Sequence, residues 1–404
     1  MKKLLEITLG IVTSIGGFLE AGSLATSAQA GASFGFALLW SIALGTLCLI
    51  FLVEMSGRLA AVSRMPLAGV LRARLGYSFF VIVLAAVGIV AYLVLATELG
   101  GVAYALQLAT GVSYRLWALP VALVCWLILW KGTFGVIEKG VSVLGLVTVA
   151  FLVAAVRLHP HWSAVAAGLV PTRPAHQAAH YWYLVVNILG ATIAPYLLYF
   201  YSAGAVEDEW DESHLPVNRA VAAIGMTFGG ALSCAVVVVA AMVLLPRGVR
   251  VDDYKDMATM LSPVLGHWGF PLFVLSLAIA CLGAALEVAL SLAYLVAQGF
   301  GWNWSENAKP RTAARFSAVY TAALLLAPLP LLAGVNPLKL TNISMALTAV
   351  SLPFAIGPML LLLNDEDYAG EHRNGPISNL VVMVTIALAF VLAVVSIPLV
   401  VVGG

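Results

Sequence analysis

Gly16-Gly17-Phe18-Leu19-Glu20-Ala21-Gly22-Ser23 interrupts an otherwise apolar run extending from about residue 4 to residue 30. The octet sets one carboxylate among three glycines, at the depth where a helix crossing a bilayer is half-way through. Placing a charged side chain there costs roughly 2.5 to 3.5 kcal/mol on insertion scales, so such residues face a protein interior and handle an ion or proton. Glycine lets the helix unwind, and irregular backbone is tolerated at that depth only where protein wraps it or it lines a wet cavity. Freed carbonyls together with Glu20 then make a substrate site. A cleaved signal peptide is a competing reading, since Lys2 and Lys3 precede the run and Ala28-Gln29-Ala30 has the small-residue form of a cleavage site. Glu6 and Glu20 count against it, because a signal h-region is an uninterrupted apolar stretch of about 7 to 15 residues. A further alternative is that Glu20 only pairs with another buried polar group.

Outward from the octet, the whole chain is apolar. Of 404 residues 62% are hydrophobic and 10% charged, with a mean hydropathy of +1.02. Soluble domains carry about 25% charged residues, so this is a polytopic membrane protein whose surroundings are the lipid bilayer. The apolar runs are about 17 to 30 residues long, the length a membrane helix needs, and β-barrel alternation is absent, which makes the class all-α. A net charge of +1 implies no nucleic acid partner. The cysteines Cys48, Cys125, Cys234 and Cys281 fall in four different apolar runs, which is neither a disulfide framework nor a zinc motif. All seven histidines fall in predicted loops. No nucleophile and base constellation and no phosphate loop supports an enzyme.

Hydropathy with turn and charge signals predicts eleven spans, at about 5–30, 34–54, 78–108, 117–131, 139–157, 181–204, 217–245, 269–298, 313–333, 338–364 and 378–402. With the N-terminus inside, thirteen of the 20 Lys and Arg residues lie in inner loops, Arg58 to Arg74 foremost. The positive-inside rule then gives a cytoplasmic N-terminus and an external C-terminus in a cell inner membrane. The longest loops, 158–180 and 246–268, are too short for a soluble domain, so residues 1–404 read as one transporter domain. The sixth span repeats the feature of the first: Gly190-Ala191-Thr192-Ile193-Ala194-Pro195-Tyr196 puts glycine and proline in mid-run, and the proline frees carbonyls. Two interrupted spans five apart point to inverted repeats, about 5–157 and 181–364, with a midplane site and an extra span at 378–402.

Other polar residues lie at depth. Glu98 in span 3 and Glu287 in span 8 are candidates for an ion or proton path, or else interhelical struts. Thr341, Ser344, Thr348 and Ser351 form one stripe on span 10, of the kind that packs helices together or lines a vestibule.

These residues resemble the NRAMP divalent-metal transporter family, whose first span carries D-P-G-N and a characteristic tail. Here the tail runs from Leu24-Ala25-Thr26-Ser27-Ala28-Gln29-Ala30-Gly31 to Trp40. The family's sixth-span G-A-T-x-M-P-H-N-L-Y-x-H-S is similar to Gly190-Ala191-Thr192-Ile193-Ala194-Pro195-Tyr196-Leu197-Leu198-Tyr199-Phe200-Tyr201-Ser202. Gly168-Leu169-Val170-Pro171 and Leu352-Pro353-Phe354-Ala355 also look like family landmarks. The resemblance implies the LeuT-type fold of two inverted five-helix repeats plus an eleventh span. It also implies a divalent cation as transported substrate rather than as a cofactor, none of which is expected.

The implied site residues depart from the family. Glu20 stands for its metal-binding aspartate, Ser23 for the asparagine ligand and Ala194 for the methionine, while Gly17 and Ala191 would supply backbone carbonyls. Tyr196 and Tyr201 replace two histidines, and Leu95 replaces one of two span-3 acids, of which Glu98 keeps the other. Losing the thioether shifts preference toward harder cations, Mg²⁺ or the borderline Mn²⁺. Tyrosine titrates near pH 10 and cannot cycle a proton at neutral pH, so weak or absent proton coupling is expected. The magnesium-transporting branch of the family also lacks the methionine. Because both the aspartate and the asparagine are gone, a LeuT-fold carrier of a small organic solute is the alternative, and a non-transporting relative the next.

Overall fold

The computed structural model describes residues 19–131, 145–174 and 176–403, and among these every regular element is a helix. The architecture is carried by α1 (Ala21–Phe34), α2 (Leu39–Ser63), α3 (Leu67–Leu75), α4 (Tyr77–Thr110), α5 (Tyr114–Lys131), α6 (Val149–Arg157), α7 (Ala178–Thr192), α8 (Pro195–Glu207), α9 (Leu215–Val243), α10 (Gly269–Phe300), α11 (Ala314–Leu326), α12 (Pro337–Leu362) and α13 (Pro376–Gly403). Among the described residues nine helical stretches are long and apolar enough to cross a bilayer, and Leu146–Arg157 is a shorter apolar one. The nine fall on nine of the eleven expected spans. α1 is the described part of the first, and Leu146–Arg157 that of the fifth.

Two spans differ from expectation for local reasons. The second, expected at 34–54, is α2 and runs on through Glu54 and Arg58. Those two side chains, one turn apart, neutralise each other at 3.1 Å, so the charges do not end the helix. The ninth, expected at 313–333, is α11 followed by the separate turn Leu329–Leu332. Pro328 and Pro330 lack the N–H groups that a continuous helix would return to the preceding turn.

α1 is built almost wholly of small residues, and positions 21–32 are all buried. Inside lipid, helices associate through close van der Waals contact, which small side chains permit. Gly31 shows how close: a β-carbon there would lie 2.4 Å from the Val237 carbonyl oxygen and 2.7 Å from the Ala240 β-carbon of α9. α9 packs along both α1 and α2, α10 along α4, and α7 against α1 and α12. The pairs α2 with α9 and α4 with α10 each join members five spans apart, as an in-plane two-fold axis between two halves requires. α13 lies outside this arrangement, against α12 and α7, with Ile377 and Val394 among its exposed apolar residues.

Candidate functional site

The interruption of the sixth span is two residues long. α7 ends at Thr192, Ile193 and Ala194 are non-helical, and Pro195 is the first residue of α8. Proline suits that first position, and it has no N–H to return to the Ala191 carbonyl four residues back. On the first span, Glu20 is extended (φ −100°, ψ 176°) and α1 begins at Ala21. Gly17, the other expected carbonyl donor, lies outside the described residues.

The Ala21 N–H, which a continuous helix would direct at the residue four back, instead donates to both carboxylate oxygens of Glu98, at 3.2 Å each. Glu98 is fully buried on α4 and is also hydrogen-bonded by the Cys281 thiol of α10. A carboxylate at the start of a helix satisfies an orphan amide and meets the positive end of the dipole. Glu98 therefore ties α4 to the first turn of α1. Glu20, 3% exposed, accepts a hydrogen bond from the Tyr196 hydroxyl on Oε2, while its buried Oε1 has no partner among the described residues. Tyr196 is itself held, its carbonyl accepting from Ser291 Oγ of α10 at 2.6 Å.

Glu20 and Glu98 are near enough to feel each other's charge, and Glu287 acts on Glu98 and Tyr196 in the same way. Among the described residues no Lys, Arg or His forms an ion pair with Glu20 or Glu98. Two carboxylates on either side of a helix start, without a protein counter-charge, are balanced by a bound cation or by protons. No group of three His, Cys, Asp or Glu side chains is placed to hold a metal among the described residues, so a cation here would draw on carbonyls and hydroxyls as well.

The other sequence candidates are distributed as follows. Ser23 is buried in the first turn of α1, three residues after Glu20. Ala191 and Ala194 are buried at the break. Tyr201 is not brought to the cluster. Five residues beyond Tyr196 on a regular helix, it is displaced by about 7.5 Å and turned to another face, where its hydroxyl donates to Asn218 Oδ1 of α9 at 3.0 Å. On the span-10 stripe three hydroxyls bond back to their own helix: Thr341 to the Pro337 carbonyl, Thr348 to that of Ser344 and Ser351 to that of Thr348. The histidines are not all in loops. His180 lies in the first turn of α7 against Phe34, and His214, His267 and His372 lie in one-turn helices, all at span ends.

One residue that the family resemblance sets near the position of a span-10 glutamine ligand sits at the centre. Met345 of α12, 1% exposed, lies between the two interrupted spans. A β-carbon at Gly22 would come within 2.5 Å of its Sδ and 3.2 Å of Glu20 Oε1, and a β-carbon at Gly190 within 2.2 Å of its carbonyl oxygen. The expectation of a sulfur-free site rested on Ala194 alone, and the structure sets a thioether from another helix beside Glu20. Nothing local in an apolar run marks this methionine, although it shares a helix face with Thr341 and Thr348.

With this geometry in hand, known proteins can be compared. The chain matches the family described as Natural resistance-associated macrophage protein-like, Nramp, over residues 10–398. It belongs to the Nramp family. A divalent metal cation transporter, MntH, of Aeromonas hydrophila is 28% identical over 385 residues, covering 92% of this chain and 90% of the relative. A transporter of the same name from Deinococcus radiodurans is 28% identical over 373 residues, covering 89% and 82%. Among solved structures, a manganese transporter of Eremococcus coleocola superposes with a TM-score of 0.80 at 19% identity, covering 98% of this chain and 86% of that one. Mhp1, a nucleobase-cation-symport-1 family transporter, superposes with a TM-score of 0.63 at 15% identity, covering 98% and 91%. This Nramp chain is thus a multi-pass membrane protein with the LeuT-type arrangement of two inverted five-helix repeats and an extra span. It is not an enzyme.

Proposed function

We propose that this protein carries divalent metal cations, Mn²⁺ and Mg²⁺ among them, across a cell inner membrane as a single transporter domain spanning residues 1–404. The observation that carries the reading is the Glu20 carboxylate, buried at the start of α1 with neither a partner for Oε1 nor a counter-charge among the described residues. Around it, the Ala191 carbonyl, deprived of its helical donor by Pro195, and the Ser23 hydroxyl supply oxygen. Ala194 leaves room at the break, and a cation that keeps part of its water shell, as Mg²⁺ tends to, fits such a site. The Met345 sulfur supplies the soft donor that favours Mn²⁺. Family membership and the metal-transporting relatives support the choice of substrate.

Transport is weakly coupled to protons or uncoupled. Glu98 is engaged by the Ala21 amide and the Cys281 thiol, Tyr201 is diverted to Asn218, and the histidines stand at span ends. Uptake into proteoliposomes tests the substrate. Wild-type protein accumulates Mn²⁺ and Mg²⁺, and Glu20→Gln, which removes the charge and keeps the shape, lowers the rate by at least about a hundredfold, because even outer-shell partners of a metal are worth 10 to 100-fold. Near-wild-type uptake by Glu20→Gln removes Glu20 from the centre of the site, and uptake of small organic solutes without metal favours the organic-solute carrier instead.

A further inference from the structure

Away from the metal cluster, a cavity of roughly 440 Å³ lies where the end of α2, the start of α9 and the segment leading into α13 meet. Its two ends differ in chemistry. Ile50 and Phe51 of α2 line one end, and Arg58, Arg219 and Arg373 line the other. Eight residues of α-helix separate Ile50 from Arg58, a rise of about 12 Å, so the cavity runs along α2 from a charged span end toward the apolar interior of the bilayer.

The three arginines are not equivalent. Arg58 is buried and spent on the protein: it bonds Glu54 at 3.1 Å, the His372 carbonyl, and Asn374 Oδ1 at 2.7 Å. Arg219 and Arg373 have side chains 65% and 49% exposed. Arg219 stands 3.9 Å from Glu54, beyond hydrogen-bond range, and among the described residues Arg373 pairs at 3.4 Å with the exposed Glu366. A guanidinium has five N–H donors, so most of those on both residues remain for a ligand. Glu54 and Glu371 also line the cavity; the charge of Glu54 is answered by Arg58, and Glu371 is exposed to solvent, which leaves Arg219 and Arg373 as the two cations in excess over one carboxylate. Ser378 adds a hydroxyl from the first turn of α13, a 28-residue helix whose positive dipole end faces the same space.

We propose that this cavity binds an anionic phospholipid, its phosphodiester held by Arg219 and Arg373 with Ser378, and one acyl chain laid along Ile50 and Phe51. Guanidinium pairs suit phosphate geometry, and basic pockets between membrane helices hold anionic headgroups. A free phosphate would satisfy the cationic end only. The apolar end, and the exposed Ile377 and Leu380 on the first turns of α13, favour the lipid. The bound lipid clamps α13, the span on the outside of the bundle, to α2 and α9.

The test uses full-length protein in a neutral detergent, with thermal unfolding and native mass spectrometry as readouts. Phosphatidylglycerol raises the midpoint by several degrees and gives a one-lipid adduct, whereas phosphatidylcholine of the same chains does neither. Arg219→Gln with Arg373→Gln removes at least half of the shift and most of the adduct. Ile50→Trp, which fills the apolar end and keeps every charge, also loses the adduct. An undiminished shift in the arginine variant overturns the site. A full shift from inorganic phosphate alone, retained in Ile50→Trp, overturns the lipid and leaves a simple anion site.

Discussion

Glu20 gives one oxygen to the Tyr196 hydroxyl and leaves the other buried without a partner among the described residues, next to the sulfur of Met345. Leaving a buried carboxylate oxygen unmatched costs about 1 to 3 kcal/mol or more, which a fold bears where a ligand completes the set. In the proposed site, Met345 is the group that would bias which ion does so. Leucine at 345 keeps volume and apolarity and removes only the sulfur, a change that cores tolerate for less than about 1.5 kcal/mol. Met345→Leu is therefore expected to keep Mg²⁺ uptake near wild type and to weaken Cd²⁺ competition about tenfold, since a thioether prefers the softer ion. Ala194→Met is expected to move the ranking the other way, toward Mn²⁺ and Cd²⁺, and in the double variant to restore the competition. Competition between Mg²⁺ and Cd²⁺ in the same vesicles reads both, and a ranking indifferent to each substitution would remove sulfur from the site.

At the scale of the element, the two helix starts at Ala21 and Pro195 and the intervening methionine depend on glycine for closeness. A β-carbon at Gly190 would meet the Met345 carbonyl oxygen at 2.2 Å and the Ala349 amide nitrogen at 3.4 Å, both backbone atoms that cannot turn aside. Gly190→Ala should cost at least about 1 to 3 kcal/mol through overpacking and lower the thermal midpoint. Gly204→Ala, on α8 with nothing within 4 Å of the new atom, serves as the control and should be neutral or slightly stabilising. Glu98 belongs to the same scale, because its carboxylate joins two helices. As a tie between α4 and α1, Glu98→Gln should lower stability in detergent and leave the pH profile of uptake unchanged. Lumenal pH during uptake at clamped voltage decides the matter: stoichiometric acidification by wild type that disappears in Glu98→Gln means that the adjacent Glu20 and Glu98 pass protons, and the uncoupled reading fails.

For the whole molecule, the arrangement of charge sets the orientation in the membrane. Arg58, Arg64, Arg72 and Arg74 cluster at one end of α2 and α3, with Arg74 paired to Asp365 and Arg64 near Asp211. If that end is cytoplasmic, a membrane-impermeant maleimide should label Ala73→Cys only in inside-out vesicles and Ser113→Cys only in right-side-out ones. The background is low, because Cys48, Cys125 and Cys281 are buried and Cys234 is half-buried. The opposite pattern would reverse the topology.

The helical class, the succession of the described spans and the place of the sixth span's interruption were legible along the chain, because their causes are local. Apolar length, the cost of a carboxylate at bilayer depth, and the missing N–H of Pro195 act within one or two helical turns. The site was legible only in outline. Glu20, Ala191 and Ala194 sit at the breaks that their neighbours announce, whereas Glu98, Tyr201 and Met345 took their roles from which helix faces met. Glu98 became a tie because the amide of Ala21 lies across from it, Tyr201 was turned away by five residues of regular helix, and Met345 came close against two other spans because Gly22 and Gly190 lack β-carbons. Such contacts join residues tens to hundreds of positions apart. In a chain where nearly every span is apolar, the pattern that tells a soluble helix which face to bury is absent, so close packing between small residues assigned the partners.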